Sequence, residues 1–398
     1  MVESTRLKFI SQVLPKSHIQ ASNGQSIGEF PFFTSSQNQN KFLDQYLFDS
    51  EYIIMGTGGV ASIHYYNGKF AVSTDCIVLD IEDKYYTKFV YYFLKAHQKI
   101  IDDLGFEGSG LKHLQKDFLF NLKINDIPLN EQQRISNYLD NQIVKYDAII
   151  TKNKELINLL EEKRITLINN IVTKGLNPNA PMKYSGIDWV GDIPEQWDVI
   201  KLKQICNVLG RIGFRGYKAS DLVSEGEGAY TIGAKHIQNN KLDLSDPEYL
   251  SWEKYYESPE IMVQLGDLLI TQRGAKLGKI ALIEEDISPA TINPSLIILK
   301  NIQCEGKFLY YLLCSQYILK TIELINSHTA VPMISQDQVN NFTIFNPPHD
   351  EQIQIIKYLD ESISEIDNII IKINENISLL EEYKTSLIYN VITGKIMI

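Results

Sequence analysis

Two stretches of the chain repeat each other without a gap. Residues 128–173 and 348–393 align at an offset of 220, and 22 of their 46 paired positions are identical. A repeat of this length is one structural unit used twice, so it constrains the whole architecture. Each copy opens on a helix start, proline followed by a capping residue, in Pro128-Leu-Asn130-Glu131 and Pro348-His-Asp350-Glu351. Each ends near a glycine, Gly175 or Gly394, with neither Pro nor Gly between. The spacing predicts two helices of about 43 residues, roughly 65 Å each at 1.5 Å per residue.

The apolar positions say how these helices are used. In the first copy a seam runs Leu139, Ile143, Tyr146, Ile150, Asn153, Ile157, Leu160, Arg164, Leu167, Ile171. The second gives Leu359, Ile363, Ile366, Ile370, Ile373, Ile377, Leu380, Lys384, Leu387, Val391. Alternating steps of four and three over more than four heptads are the pattern of a coiled coil. Asn153, Arg164 and Lys384 cost stability in such a seam but fix register. Two such helices in one chain most simply pair with each other.

A long segment precedes each helix. Residues 1–127 and 201–347 hold short β-branched and aromatic runs at 52–55, 69–72, 76–79, 268–271, 280–283 and 296–299, punctuated by Gly, Asn and Asp. A helical stretch follows in each, near 87–101 and 306–325. The segments are weakly alike: Arg6-Leu-Lys8 beside Lys201-Leu-Lys203, Gly56-Thr-Gly58 beside Gln272-Arg-Gly274, and Asp117 beside Asp337. The expected fold is therefore α+β. Two mixed α/β domains are separated by two long helices that form an antiparallel intramolecular coiled coil, in a pseudo-twofold arrangement. The expected divisions are 1–127, the helix 128–175, a linker and lead-in at 176–200, 201–347, and the helix 348–398.

The net charge of −11 argues against a nucleic-acid binder until its distribution is considered. Residues 1–127 carry 12 basic and 14 acidic groups, residues 201–347 carry 14 and 16, and residues 348–398 carry 4 and 9. The second segment also holds acid-free basic runs. One, over 199–220, includes Arg211 and Arg215, and another, over 268–283, holds Arg273, Lys276 and Lys279. Such runs suit a phosphate backbone. The four cysteines lie far apart with no CxxC pair, and the histidines show no metal spacing. No stretch matches a membrane span or a signal-peptide core, so a cytoplasmic protein with no membrane partner is expected.

Taken together, these features resemble the specificity subunit of Type I restriction-modification systems. The matching words are Glu131-Gln132 and Glu351-Gln352 after proline, Leu-Leu-Glu-Glu at 159–162 and 379–382, and the helix ends Val172-Thr-Lys-Gly175 and Ile392-Thr-Gly394. The lead-in Gly186-Ile-Asp-Trp189, Ile193-Pro-Glu195 and Trp197 is similar to the family's opening of a target-recognition domain; it occurs once only. The resemblance implies a double-stranded DNA target in two half-sites, one per domain. It also implies helices that separate the domains and dock two methyltransferase subunits, with restriction and translocase subunits joining them. The residues expected at DNA are Thr57, Lys112, His113, Arg211, Arg215, His236, Gln272, Arg273, Lys276 and Lys279. Those expected in the spacer and docking helices are Leu139, Ile143, Ile150, Leu160, Glu161, Glu162, Leu359, Ile363, Ile370, Leu380, Glu381 and Glu382.

No catalytic residue, metal or cofactor is expected. Asn346-Pro-Pro-His349 resembles the Asn-Pro-Pro-aromatic word of N6-adenine methyltransferases. The aromatic is missing, however, and no glycine-rich cofactor loop lies upstream. The segment at 274–279 is one residue too short for a phosphate-binding loop. A self-contained adenine methyltransferase is thus the leading alternative, and a pure coiled-coil interaction protein a third reading that the basic runs disfavour.

Overall fold

A computed structural model describes residues 3–213, 216–274, 277–326 and 332–398. The chain folds into two compact units. One comprises residues 1–155 and 373–398, the other residues 156–372. The dividing points fall inside both long helices, Leu129–Lys174 and His349–Ile392, so each helix contributes to both units.

In the first unit a six-stranded sheet runs in the order Ser11–Val13, Cys76–Ile81, Phe48–Gly56, Ile63–Val72, Phe30–Phe33, Lys41–Leu43. Neighbours are antiparallel except Ile63–Val72 and Phe30–Phe33, which are parallel. The β-branched run at the centre buries Ile53, Ile54 and Met55 completely, so both faces are covered. The helix Thr87–Ala96 lays Phe89, Val90, Phe93 and Leu94 on this core. The strand Ser4–Arg6 closes the domain by pairing with Lys123–Asn125 immediately before the long helix.

The second unit repeats this frame. Its sheet runs Asn207–Gly210, Leu296–Lys300, Leu268–Thr271, Ile280–Leu282, all antiparallel. Asp198–Lys201 pairs with Thr343–Asn346 before the second long helix. Register fixes the correspondence. Val13 and Ile53 flank Leu79, as Val208 and Leu268 flank Leu299. A further sheet, Leu222–Val223, Tyr249–Ser251, Gly228–Ile232 and Ala290–Ile292, has its own core around Ile232, Ile237 and Ile261.

The seam read from the sequence is the buried stripe. From residue 144 to 166 every seam position is buried or half-buried, and every other position is exposed. Pairing is antiparallel within each unit. In the first, Asn153 donates to Asn376 Oδ1 at 3.2 Å and Lys384 meets Asp147 at 2.5 Å. In the second, Arg164 meets Asp367 at 3.0 Å. Each polar seam residue thus has a partner on the opposite helix, which holds the register as expected.

The family words Glu-Gln are also explained. Gln132 is buried, accepts a hydrogen bond from Tyr86 N (2.8 Å) and donates to Ile127 O (2.8 Å). Gln352 accepts from Glu305 N (2.9 Å) and donates to Pro347 O (2.9 Å). Tyr86 and Glu305 are the N-cap positions of Thr87–Ala96 and Gly306–Leu313, so one carboxamide caps the short helix and clamps the start of the long one. Farther along the helix, Asp140 takes Tyr92 Oη (2.6 Å) and Lys88 Nζ (2.7 Å). Asp360 likewise takes Tyr311 Oη (2.5 Å) and Lys307 Nζ (2.9 Å). Burial, and then the bond to the carboxylate, hold both phenols well above their usual pKa. Glu351 additionally accepts from the fully buried Trp197 at 2.9 Å, which is the role of the lead-in.

Replacing Gln132 or Gln352 by Leu leaves a buried N–H and C=O unpaired. Each variant should lose about 1–3 kcal/mol, read as a lower urea midpoint. An unchanged midpoint would show that the carboxamide does not clamp the helix start.

Candidate nucleic-acid interface

In the first unit the strand Phe48–Gly56 ends where a side chain has no room: a Cβ on Gly56 would lie 2.3 Å from Ser62 Oγ. The chain turns there, and Thr57 donates both its N–H and its hydroxyl to Asp75 O (2.8 and 3.0 Å). A hairpin at 106–114 packs beside the turn. Leu114 N donates to Thr57 O and Gly59 N to Lys112 O, both at 2.9 Å, and Gly58 bridges His113. Thr57, Lys112 and His113, far apart in sequence, are thereby brought together. Lys112 and His113 are exposed, as are Val60 and Leu111 at the two tips.

The second unit builds the same pair of loops. Ile334 N donates to Gln272 O (3.0 Å), and Arg273 bridges Met333. Gln272 therefore stands at the place of Thr57, and Met333 at that of His113. Gly59 and Gly274 both take positive φ, 85° and 117°, where L side chains are strained. Arg273 is exposed, its Nε lying 3.2 Å from Met333 Sδ, and Met333 and Pro332 are exposed beside it. Each loop pair therefore presents cations next to apolar side chains. Cations suit phosphate and guanine, and apolar groups suit the thymine methyl, so such a mixture can engage a DNA groove.

Other expected contacts are placed differently. Arg211 is buried, its guanidinium donating to Ile292 O (3.1 Å) and Thr291 Oγ1 (3.0 Å). His236 is buried with both ring nitrogens engaged, by Gly233 N (2.9 Å) and Asp246 O (2.9 Å). Gln272 is buried, and its amide donates to Pro294 O and Leu296 O. Lys279 is half-buried and donates to Ile237 O at 2.7 Å. These four side chains hold loops and sheets together rather than facing outward, because each polar end found a backbone carbonyl or an inner hydroxyl. Arg215 and Lys276 lie outside the described residues.

Among the helix residues, Leu139 and Leu359 are fully buried and Ile150 nearly so. Ile143, Leu160, Ile363, Ile370 and Leu380 are half-buried in the seam, while Glu161, Glu162, Glu381 and Glu382 are exposed. Sequence reasoning noted their neighbours Leu159 and Leu379 only within the Leu-Leu-Glu-Glu words and gave them no role of their own. They occupy equivalent places, lie off the seam and are 61% and 64% exposed. Their signal was an apolar residue at the same non-seam position of both copies. Asn346 of the methyltransferase-like word accepts a bond from Gln352 (3.1 Å), so it serves the helix start. Among the described residues no cluster of His, Cys, Asp and Glu could hold a metal, and no helix is long and apolar enough to cross a membrane.

A model of the Type I restriction modification DNA specificity domain matches residues 2–162 and 194–379. The chain is 24% identical over 356 residues to the Type I restriction enzyme MjaVIII specificity subunit of Methanocaldococcus jannaschii, covering 88% of this chain and 80% of that protein. It is 20% identical over 405 residues to the EcoDI specificity subunit of Escherichia coli, covering 96% and 86%. A solved structure concerned with assembly and conformational transition of the type I R-M system shares the fold with TM-score 0.68 at 16% identity, over 98% of this chain and 97% of that one. The HsdS subunit of Thermoanaerobacter tengcongensis does so with TM-score 0.52 at 17% identity, over 99% and 97%. With both recognition segments and most of both helices matched, the chain belongs to the Type I restriction-modification DNA specificity family, as a DNA-recognition subunit and not a catalytic one.

Proposed function

We propose that the chain reads a bipartite DNA target, one half-site with each loop pair, in the cytoplasm as part of a Type I restriction-modification complex. The observation that carries this reading is the duplication of one loop pair on two equivalent frames with different side chains. Lys112 and His113 stand in one, Arg273 and Met333 in the other. An unchanged frame with changed tips suits two different half-sites. The long helices, 46 and 44 residues, supply a spacer of fixed length. Leu159 with Glu162, and Leu379 with Glu382, form two equivalent exposed apolar and acidic patches, with Glu161 and Glu381 exposed on the other flank of the same turn. They suit two copies of a methyltransferase subunit, with restriction and translocase subunits joining the assembly.

Methylome sequencing of a host carrying the reconstituted system tests the assignment of half-sites. Arg273→Ala should relax the second half-site alone, and the pair Lys112→Ala, His113→Ala the first alone. A lost base contact costs about 1–3 kcal/mol and relaxes one position. Variants that keep target and affinity unchanged would take these loops out of the interface. Replacing buried His236 by Ala should instead lower thermal stability and leave the recognised sequence as it was.

The spacer is tested by construction. One heptad inserted after Asn153 and another after Ile373 keeps the seam in phase and adds about 10 Å of helix. The same half-sites should then be methylated with a gap about three base pairs longer, at roughly 3.4 Å per base pair. An active enzyme with an unaltered gap would show that the helices do not measure the DNA.

A further inference from the structure

Against the first loop pair lies a cleft of about 220 Å³, lined by Thr57 and His113 of that pair and also by Lys16 and Lys116, to which no role has been given above. Its floor is apolar, with Leu14, Val72 and Val78, and its rim carries Lys16, His113 and Lys116. No acidic residue lines it among the described residues, although residues 1–127 carry more acid than base. Lys16, His113 and Lys116 are exposed, and none makes an ion pair among the described residues. They come from three separate segments: the tail of the first sheet strand, the hairpin, and the helix Lys116–Phe120. Three unpaired cationic or titratable groups converging on one acid-free cleft raise the local potential for an anion.

Among the described residues the second unit lacks this arrangement at the equivalent place. The sheet register that matches Val13 with Val208 puts Lys16 at the position of Arg211, whose guanidinium is turned inward onto Thr291. The offset of 220 puts Lys116 at the position of Gln336, whose amide packs so closely that a Cβ on Gly210 would lie 2.7 Å from it. His113 corresponds to Met333. The residues at all three equivalent places are thus buried or neutral in the second unit.

We propose that this cleft seats one phosphate of the DNA backbone next to the half-site read by the first loop pair, and that the second unit has no counterpart. The inference rests on the DNA-reading function above. Lysines act on phosphate as point charges that fix position without reading sequence. The first unit is then held to the duplex by backbone charge and the second more by its groove contacts. The two halves of one target would differ in salt sensitivity.

The test uses the assembled methyltransferase complex and its target duplex. Phosphates around the first half-site are replaced one at a time by neutral methylphosphonate, and wild-type affinity is measured. One position should weaken binding in the wild type and have no effect in Lys16→Ala/Lys116→Ala. The same variant should lower the slope of log affinity against log salt by about 0.9 for the one phosphate released, so that the fall between roughly 50 and 200 mM shrinks about 3-fold. The Lys16→Arg/Lys116→Arg variant should keep the wild-type slope. Methylated sequence should not change in either. A methylphosphonate scan of the wild type with no position-specific effect would overturn the proposal whether or not the alanine variant folds. So would an alanine variant with the wild-type slope. Competition by inorganic phosphate with no dependence on any backbone position would assign the cleft to a free anion and overturn it too. A wild-type complex that fails to distinguish target from non-target duplex would instead sink the underlying reading.

Discussion

The buried carboxamides of Gln132 and Gln352 are what the rest of the molecule hangs from. Each satisfies the first free N–H of a short recognition-domain helix and a carbonyl just ahead of a long helix. Asparagine is too short to span both groups, and glutamate has no N–H to donate, so glutamine alone fits both ends. Asp140 and Asp360 add a second pair of points farther along the helix, each gripping a tyrosine and a lysine. Two attachment points fix a direction as well as a position. The angle at which each long helix leaves its domain is set by polar geometry, whereas the apolar seam alone would tolerate sliding.

On this shared frame the two units diverge in the length of chain between equivalent strands. Register places the second unit 195 residues on at Val13 and Val208, 215 on at Thr57 and Gln272, and 220 on at Leu114 and Ile334. The second domain has therefore gained 25 residues before its sheet closes. The strand Gly228–Ile232 is the counterpart of Phe30–Phe33, since Thr231 and Ile232 pair in parallel with Thr291 and Ile292 as Phe32 and Phe33 do with Ala71 and Val72, so most of the added length falls between Ile232 and Leu268. The frame tolerates such insertion because the added backbone pairs within itself.

The helices were legible because their constraint is periodic: one seam, repeated at step four and three, with caps at either end. Strands at 52–55, 76–79 and 296–299 were legible for a similar reason, as dense apolar runs between turn residues. They are parts of Phe48–Gly56, Cys76–Ile81 and Leu296–Lys300. Thr57, Lys112 and His113 were named separately, and only the fold shows that they are neighbours. Basic runs were the weakest guide. Arg211 and Lys279 belong to acid-free stretches, yet a charge count says nothing about which way a side chain turns, and both turn to backbone carbonyls. His236 shows the same limit, since an isolated histidine carries no sign of whether its nitrogens are taken. Leu159 and Leu379 stood in the Leu-Leu-Glu-Glu words but received no role of their own, because the seam explained their neighbours so completely.

The far end of each long helix closes a core that began elsewhere in the chain. Leu387, Ile388, Val391 and Ile392 pack with Leu7, Ile53 and Phe89 in the first unit, and Val172 packs with Trp197 and Phe308 in the second. The first domain therefore waits during synthesis. Its sheet and its own helix start are complete once residue 150 has left the ribosome, but part of its apolar wall is supplied only after the whole second recognition segment has been made. Until then Leu139 and Ile143 lack the chain that finally covers them. That order exposes an apolar stripe for the time of synthesis of more than two hundred residues, and the first unit to begin is the last whose chain is complete.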